Sequence, residues 1–278
     1  MVRIVSDSST LYSPDQAREA GFAVSPLSVT IAGKSYREFA EISSREFVDI
    51  IRQGHMPTSS QPAIGEVAAL YEEFAGEQIL NIAMADGLSG TYRSAVAAAE
   101  MGENSGNVTV INTRTLCGPH RYMVQKCVEM AKNGATMEEL VTWLNQRMDS
   151  AKSFLMPEDF DYLRRGGRLS PLVSHVGKLA GLVPVMTQTE DGCRLTVASI
   201  RRGYNAAIKY VAEYLQKQNI GAGWRVYIAH ATTQEKVELT KKKLAEALPG
   251  ALIEVVDLSP AFITQGGPDC LAVQYVME

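Results

Sequence analysis

Residues 2–9 read VRIVSDSS. A short β-branched apolar run breaks off into four polar residues, Ser6-Asp7-Ser8-Ser9, with no helical spacing in between. That is how a buried strand ends when its carboxyl end meets a loop, and in open α/β sheets ligands bind just outside such ends. Working outward, the same texture returns. Amphipathic stretches at 14–20, 44–53, 63–75 and 90–101 alternate with strands QILNIAM (78–84) and VTVIN (108–112), a hairpin is expected around VTIAGKSYRE (29–38), and helical pattern runs from about 120 to 148. Alternating strands and helices predict a mostly parallel sheet covered by helices on both faces, a three-layer α/β unit.

The second half reads differently. SFLM (153–156) is a strand, 158–165 and 170–181 short helices, and VPVMTQTEDGCRLTVAS (183–199) a hairpin turning at Asp191-Gly192. Helices near 204–218 and 233–247 then alternate with the strands WRVYIAH (224–230), ALIEVVD (251–257) and LAVQYVM (271–277). A hairpin combined with crossovers implies a mixed sheet. The expected division is 1–149 for an N-terminal α/β domain and 150–278 for a mixed-sheet α/β domain, with a cleft between them as the default ligand site.

A chain of 278 residues, 46% apolar, has material for two ordinary cores. Its 27 basic and 31 acidic residues give a net charge of -4, and no window gathers Lys and Arg into a stripe, so nucleic acid is an unexpected partner. MVRIVSDSST lacks the basic start and apolar stretch of a secretory signal, and no segment is long and apolar enough to span a bilayer; a cytoplasmic protein is expected. A monomer is expected too, since no strongly apolar exposed stretch demands a partner. Cys117, Cys127, Cys193 and Cys270 are far apart, with no C-x-x-C pair, and are read as reduced and mostly buried, a reactive thiol at Cys117 being the second reading. His55 and His120 fall near turns, His175 in an apolar helix and His230 at a strand end; none has Cys or carboxylate neighbours at metal-ligand spacing. No metal or cofactor is expected.

Four polar segments sit where strands end or helices begin. Ser6-Asp7-Ser8-Ser9 either meets a ligand or satisfies turn backbone. Pro57-Thr58-Ser59-Ser60-Gln61-Pro62 precedes the helix near 63–75, and Leu88-Ser89-Gly90-Thr91-Tyr92-Arg93-Ser94 opens the helix near 90–101. Hydroxyls beside free helix N–H groups suit an anion; the same hydroxyls are ordinary caps. Two such starts in one domain make a shared anion site the more economical reading. Tyr162-Leu163-Arg164-Arg165-Gly166-Gly167-Arg168 ends a helix on paired glycines and brings arginines whose planar forks match carboxylate or phosphate, the alternative being a solvated basic turn.

Taken in order, Ser6-Asp7-Ser8-Ser9, Pro26-Leu27, Ser59-Ser60-Gln61-Pro62, Leu88-Ser89-Gly90-Thr91-Tyr92, Tyr162 to Arg168 and Gly267-Pro268 resemble the motifs of the DegV family across essentially the whole chain. The resemblance implies a two-domain α/β carrier that binds one long-chain fatty acid, carboxylate in the N-terminal domain and tail in an apolar tunnel, and presents it to a separate ATP-dependent fatty acid kinase. It assigns Ser59 and Ser89 to the carboxylate, Ser60, Gly90 and Thr91 to the same site, Arg168 to the anion or to kinase docking, and Leu169 to Val185 to the tunnel wall. Two positions depart from the family. Gln265 stands where a His usually precedes the Gly-Pro turn, and a neutral amide donates a weaker bond than a cation. Ala63 replaces a capping Ser.

Other functions remain to be weighed. A hydrolase using Ser89 or Ser60 has neither a Gly-x-Ser-x-Gly setting nor an evident His base. A likeness to dihydroxyacetone kinase substrate domains lacks the covalent His. A binding module for another small carboxylate would differ from a lipid carrier in showing no dependence on tail length.

Overall fold

The computed structural model describes residues 1–102, 105–171, 173, 181–231 and 233–278. In chain order the first half contains β1 (Arg3–Asp7), α1 (Pro14–Ala20), β2 (Ala23–Ser25), β3 (Ser28–Ile31), β4 (Lys34–Arg37), α2 (Ser44–Arg52), β5 (Thr58–Ser60), α3 (Ile64–Glu72), β6 (Ile79–Ala83), α4 (Thr91–Met101), β7 (Val108–Asn112), α5 (Cys117–Lys132) and α6 (Met137–Met148). The second contains β8 (Lys152–Met156), α7 (Phe160–Gly166), β9 (Leu182–Gln188), β10 (Leu195–Arg202), α8 (Tyr204–Lys217), β11 (Trp224–His230), α9 (Gln234–Ala247), β12 (Leu252–Asp257), α10 (Pro260–Gly266) and β13 (Leu271–Met277).

Local chemistry fixes several of these helices. Ser13 with Gln16, Ser43 with Glu46 and Thr136 with Glu139 form reciprocal capping boxes at the starts of α1, α2 and α6. Each box satisfies two backbone donors that the first turn leaves open. The long helical stretch expected over 120–148 is two helices, broken at Asn133-Gly134, where Gly134 takes a left-handed φ of 89°.

Strands β2, β1, β6 and β7 form a parallel sheet in that order. Val5 and Ile79 pack with Tyr71, Ala95 and Ala98 of α3 and α4 on one face. Ile4, Leu80 and Ile82 pack with Met123, Cys127 and Leu140 of α5 and α6 on the other. The side chains of consecutive residues point to opposite faces, so apolar residues in succession are what a doubly covered strand needs.

The second sheet is mixed, in the order β10-β9-β8-β13-β11-β12. Its outer face holds Phe154, Ile228 and Val273 against Val211 and Leu244 of α8 and α9. Its inner face turns towards the first half: Tyr227 and Val276 join the cluster around Met123 and Cys127. Helix α5 therefore lies between the two sheets, which is why ten of its sixteen residues are buried and its polar stripe is narrow. A third, antiparallel sheet, β4-β3-β5, joins the hairpin to β5 and packs Val29 and Ile31 against residues of both halves, Phe47 and Ile263 among them.

Strands β2 and β5 and helix α10 are additions to the elements expected from sequence. The helix expected over 170–181 lies largely outside the described residues, as do His175 and about half of the Leu169–Val185 segment. Leu169 itself bridges to Leu195. Among the described residues no helix is long and apolar enough to cross a membrane.

Candidate functional site

The site is built where β5, the β6–α4 loop, the end of α7 and α10 converge. Ser59 pairs opposite Val29 at the middle of β5, and Ser60, the next residue, projects from the opposite face and is exposed. Helix α10 lies alongside. Gln265, near its end, donates from Nε2 to Ser59 Oγ at 3.2 Å. Its Oε1 is shielded from solvent and has no hydrogen-bond partner. Gly166, the last residue of α7, makes room for this amide, since a Cβ there would overlap Gln265 Oε1.

Arg168 closes the other side. Its Nε donates to the carbonyl of Leu88 at 3.1 Å, and a terminal N–H donates to the carbonyl of Gly166. Burial, and secondarily the nearby Arg194, lower the Arg168 pKa from its ordinary value. Ser89 turns its hydroxyl onto the start of α4: Oγ lies 2.7 Å from Thr91 Oγ1 and accepts the Thr91 N–H at 3.3 Å. Gly90 admits the Gln61 side chain, whose Oε1 would stand 2.8 Å from an added Cβ. Gln61 thus ties the Ser59-Ser60 segment to the Ser89–Thr91 segment.

Two cavities meet at Gln265 and Arg168, which line both. The inner one is walled chiefly by Met84, Leu116, Leu155, Met186, Phe262 and Ala272, drawn from both halves. The outer one presents Thr58, Ser59, Arg165 and Thr264. An apolar chamber behind a polar, cationic vestibule is an arrangement for an amphiphile with one polar end. Ser59, Gln265 and Arg168 are brought together at the partition. Ser60, Ser89, Gly90 and Thr91 line neither cavity.

The opening motif is backbone support. Asp7 accepts the N–H of Ser9 and the N–H of Met84, each at 2.9 Å. This anchors the first residue of the loop that leads to Ser89. His120 belongs to the first turns of α5 and is fully buried, Nε2 2.9 Å from Ser6 Oγ and Nδ1 3.0 Å from Thr113 Oγ1. Burial lowers its pKa, opposed by Asp7. The Ser6–His120 pair is sealed from both cavities, and among the described residues no histidine hydrogen-bonds Ser59, Ser60 or Ser89. Cys117 lines the inner cavity, but burial raises its pKa well above the ordinary thiol value, so it is an inert thiol there. Among the described residues no group of His, Cys, Asp or Glu side chains is arranged to hold a metal ion.

One residue escaped sequence reasoning. Glu38, directly after β4, is completely buried; Oε1 accepts from Ser8 Oγ at 2.5 Å, and Oε2 accepts the N–H of Ala261, in the first turn of α10, at 2.8 Å. Desolvation raises its pKa from the ordinary 4.5 to about 7, against the pull of those hydrogen bonds. Nothing around Glu38 in the sequence marks it, because a Glu after a hairpin is normally solvated.

A family model described as "Uncharacterised protein, DegV family" matches residues 1–278. A DegV domain-containing protein of Staphylococcus aureus strain N315 is 35% identical over 250 residues, 88% of this chain and 87% of the relative. The fatty-acid-binding DegV family protein from Thermus thermophilus superposes with a TM-score of 0.89 at 26% identity, covering 100% of this chain and 99% of that one. DegV from Bacillus subtilis, a fatty acid binding protein, does so with a TM-score of 0.86, also at 26% identity and with 100% and 99% coverage.

Proposed function

The chain belongs to the DegV family, and from that premise we propose that it is a carrier for a long-chain fatty acid. The carboxylate is held at Ser59, Gln265 and Arg168, with Ser60, Ser89, Gly90 and Thr91 shaping the adjoining helix start; the tail enters the apolar chamber. The observation that carries this reading is the partition itself: an apolar space lined from both halves meets a polar cavity at Gln265 and Arg168, with Ser59 hydrogen-bonded to Gln265. The two fatty-acid-binding relatives with the same fold support it.

In this reading the protein performs no chemistry alone. It acts in the cytoplasm as a monomer and hands the carboxylate to a separate fatty acid kinase for acyl phosphate formation, Arg165 and Arg168 facing that partner through the outer cavity. Two domains, 1–149 and 150–278, share the chamber, their cores meeting across α5. The test is mass spectrometry of protein purified without detergent, native and after organic extraction. One acyl chain per protein is expected. Protein that is empty and takes up no added fatty acid sinks the proposal.

A further inference from the structure

The carrier reading gives Glu38 no part, although burying its carboxyl group is costly. The residue is completely buried, and among the described residues no Lys, Arg or His pairs with it. A carboxyl group withdrawn from water without a cation destabilises a fold unless its oxygens are put to use.

Both oxygens are committed. Ser8 Oγ accepts the Leu27 N–H at 2.9 Å and turns its own proton to Glu38 Oε1. Oε2 accepts the N–H of Ala261. The backbone of Glu38 is fixed as well, its N–H donating to the Leu27 carbonyl at 2.9 Å. Leu27 leads directly into β3, and β3 is the strand that pairs Val29 with Ser59. The carboxyl group is therefore rooted on the sheet that carries Ser59 and reaches across to the helix that carries Gln265.

That helix needs holding. Helix α10 spans seven residues, too few to be stable alone. Its N-cap residue, Ser259, makes no side-chain capping bond, so a donor that the first turn leaves open, the Ala261 N–H, is satisfied by Glu38 from the other half. Further along α10, Phe262 lines the inner cavity, and Gln265 lines both cavities and donates to Ser59. That bond, at 3.2 Å, is at the long end for N–H···O, so slack in α10 breaks it first.

We propose that Glu38 is a positioning residue for the head-group site: its carboxyl group sets α10 against the β3–β5 sheet, holding Gln265 to Ser59 and Phe262 in the chamber wall. The inference rests on the carrier reading for the site that is positioned. It adds a group that lines neither cavity.

The experiment follows three quantities at one fixed pH on delipidated full-length chain: retention of hexadecanoate after gel filtration, hydrogen exchange over residues 259–267, and melting temperature. Glu38→Asp keeps the acid but is one methylene shorter, and cannot reach Ser8 and Ala261 together. Exchange over 259–267 should quicken and retention should fall at least about fivefold, the scale of one hydrogen bond. Glu38→Gln keeps the length and an oxygen for the Ala261 N–H, and should rescue retention to within about threefold of the parent. Tyr71→Phe deletes a buried hydroxyl bonded to Ala95 and Asn81, away from both cavities; it should lower the melting temperature and leave retention unaltered. Parental retention in Glu38→Asp overturns the inference and leaves the carrier reading standing. So does a loss in Tyr71→Phe as large as in Glu38→Asp, which would make Glu38 a contributor to stability alone. Loss in Glu38→Gln with retention in Glu38→Asp also overturns it, transferring the effect from reach to charge. A parent chain that retains no hexadecanoate overturns both.

Discussion

The Glu38 carboxylate accepts the backbone N–H of Ala261, 223 positions further along the chain, at 2.8 Å. A residue at the end of a hairpin in the first half thereby caps the helix of the second half that carries Gln265. With Ser8 Oγ on the other oxygen, it ties three segments that define the site to one buried group.

That group makes stability depend on pH. The folded-state pKa of Glu38 is raised from 4.5 to about 7, so the folded protein favours its protonated form. Its contribution is fully present below pH 4.5 and is lost as pH rises through about 7, by about 3 kcal/mol at most. Glu38→Gln cannot ionise. Relative to the parent, its melting temperature should rise steadily between pH 5 and pH 8, on top of a constant offset for the altered Ser8 bond; parallel melting curves against pH would refute the assignment.

Ser89→Ala removes the acceptor for the Thr91 N–H at the start of α4. Loss of this local turn bond, which precedes the Gly90 N-cap, costs about 0.5–1.5 kcal/mol. If Ser89 also meets the carboxylate, acyl retention falls several-fold at temperatures well below melting. A melting shift with unchanged retention would restrict Ser89 to supporting the turn before α4.

Ala272, on β13, faces the inner cavity beside Leu155, its register partner on β8. Ala272→Phe fills space reserved for the tail. Retention of hexadecanoate should fall at least about tenfold at temperatures well below melting, the ring both filling the cavity and crowding the buried cluster around it. Unaltered retention would move the tail elsewhere.

Within a series of saturated acids, affinity should increase by up to about 0.8 kcal/mol per methylene until the chamber is full, then level off. Isothermal titration from octanoate to octadecanoate measures this. A flat series would identify a small-carboxylate module instead of a lipid carrier.

Gly166→Ala places a methyl group where Gln265 Oε1 sits. The amide must swing away and the Ser59 bond must break. Because the displaced atoms are the far end of a flexible side chain, stability should change by less than about 1 kcal/mol while retention of the acid falls several-fold. Unaltered retention would assign Gly166 a different role.

The strands that carry both sheets were legible because burial on two faces leaves an unmistakable apolar run, as in QILNIAM and WRVYIAH. Strand β5, Thr58–Ser60, has no such run; it exists because β3 offers it an edge. Helix α10 has only seven residues; Ser259-Pro260 and Gly267 are start and stop signals for it, but one of its first N–H groups is capped by Glu38 from the other half, which no local pattern announces. The hydroxyl-rich helix starts and the arginine turn were visible as polar punctuation. The meeting of Ser59 with Gln265 was not, because it depends on how two distant segments pack, and only the order of family motifs suggested it.

Strand β13 lies between β8 and β11 and is antiparallel to both. While a ribosome is still making residues 157–270, β8 has only β9 beside it, the sheet is split at its centre, and the wall formed by Ala272 and Gln274 does not yet exist. In the carrier reading, a chain lacking residues 271–277 has no wall at Ala272 and Gln274 and should retain no lipid.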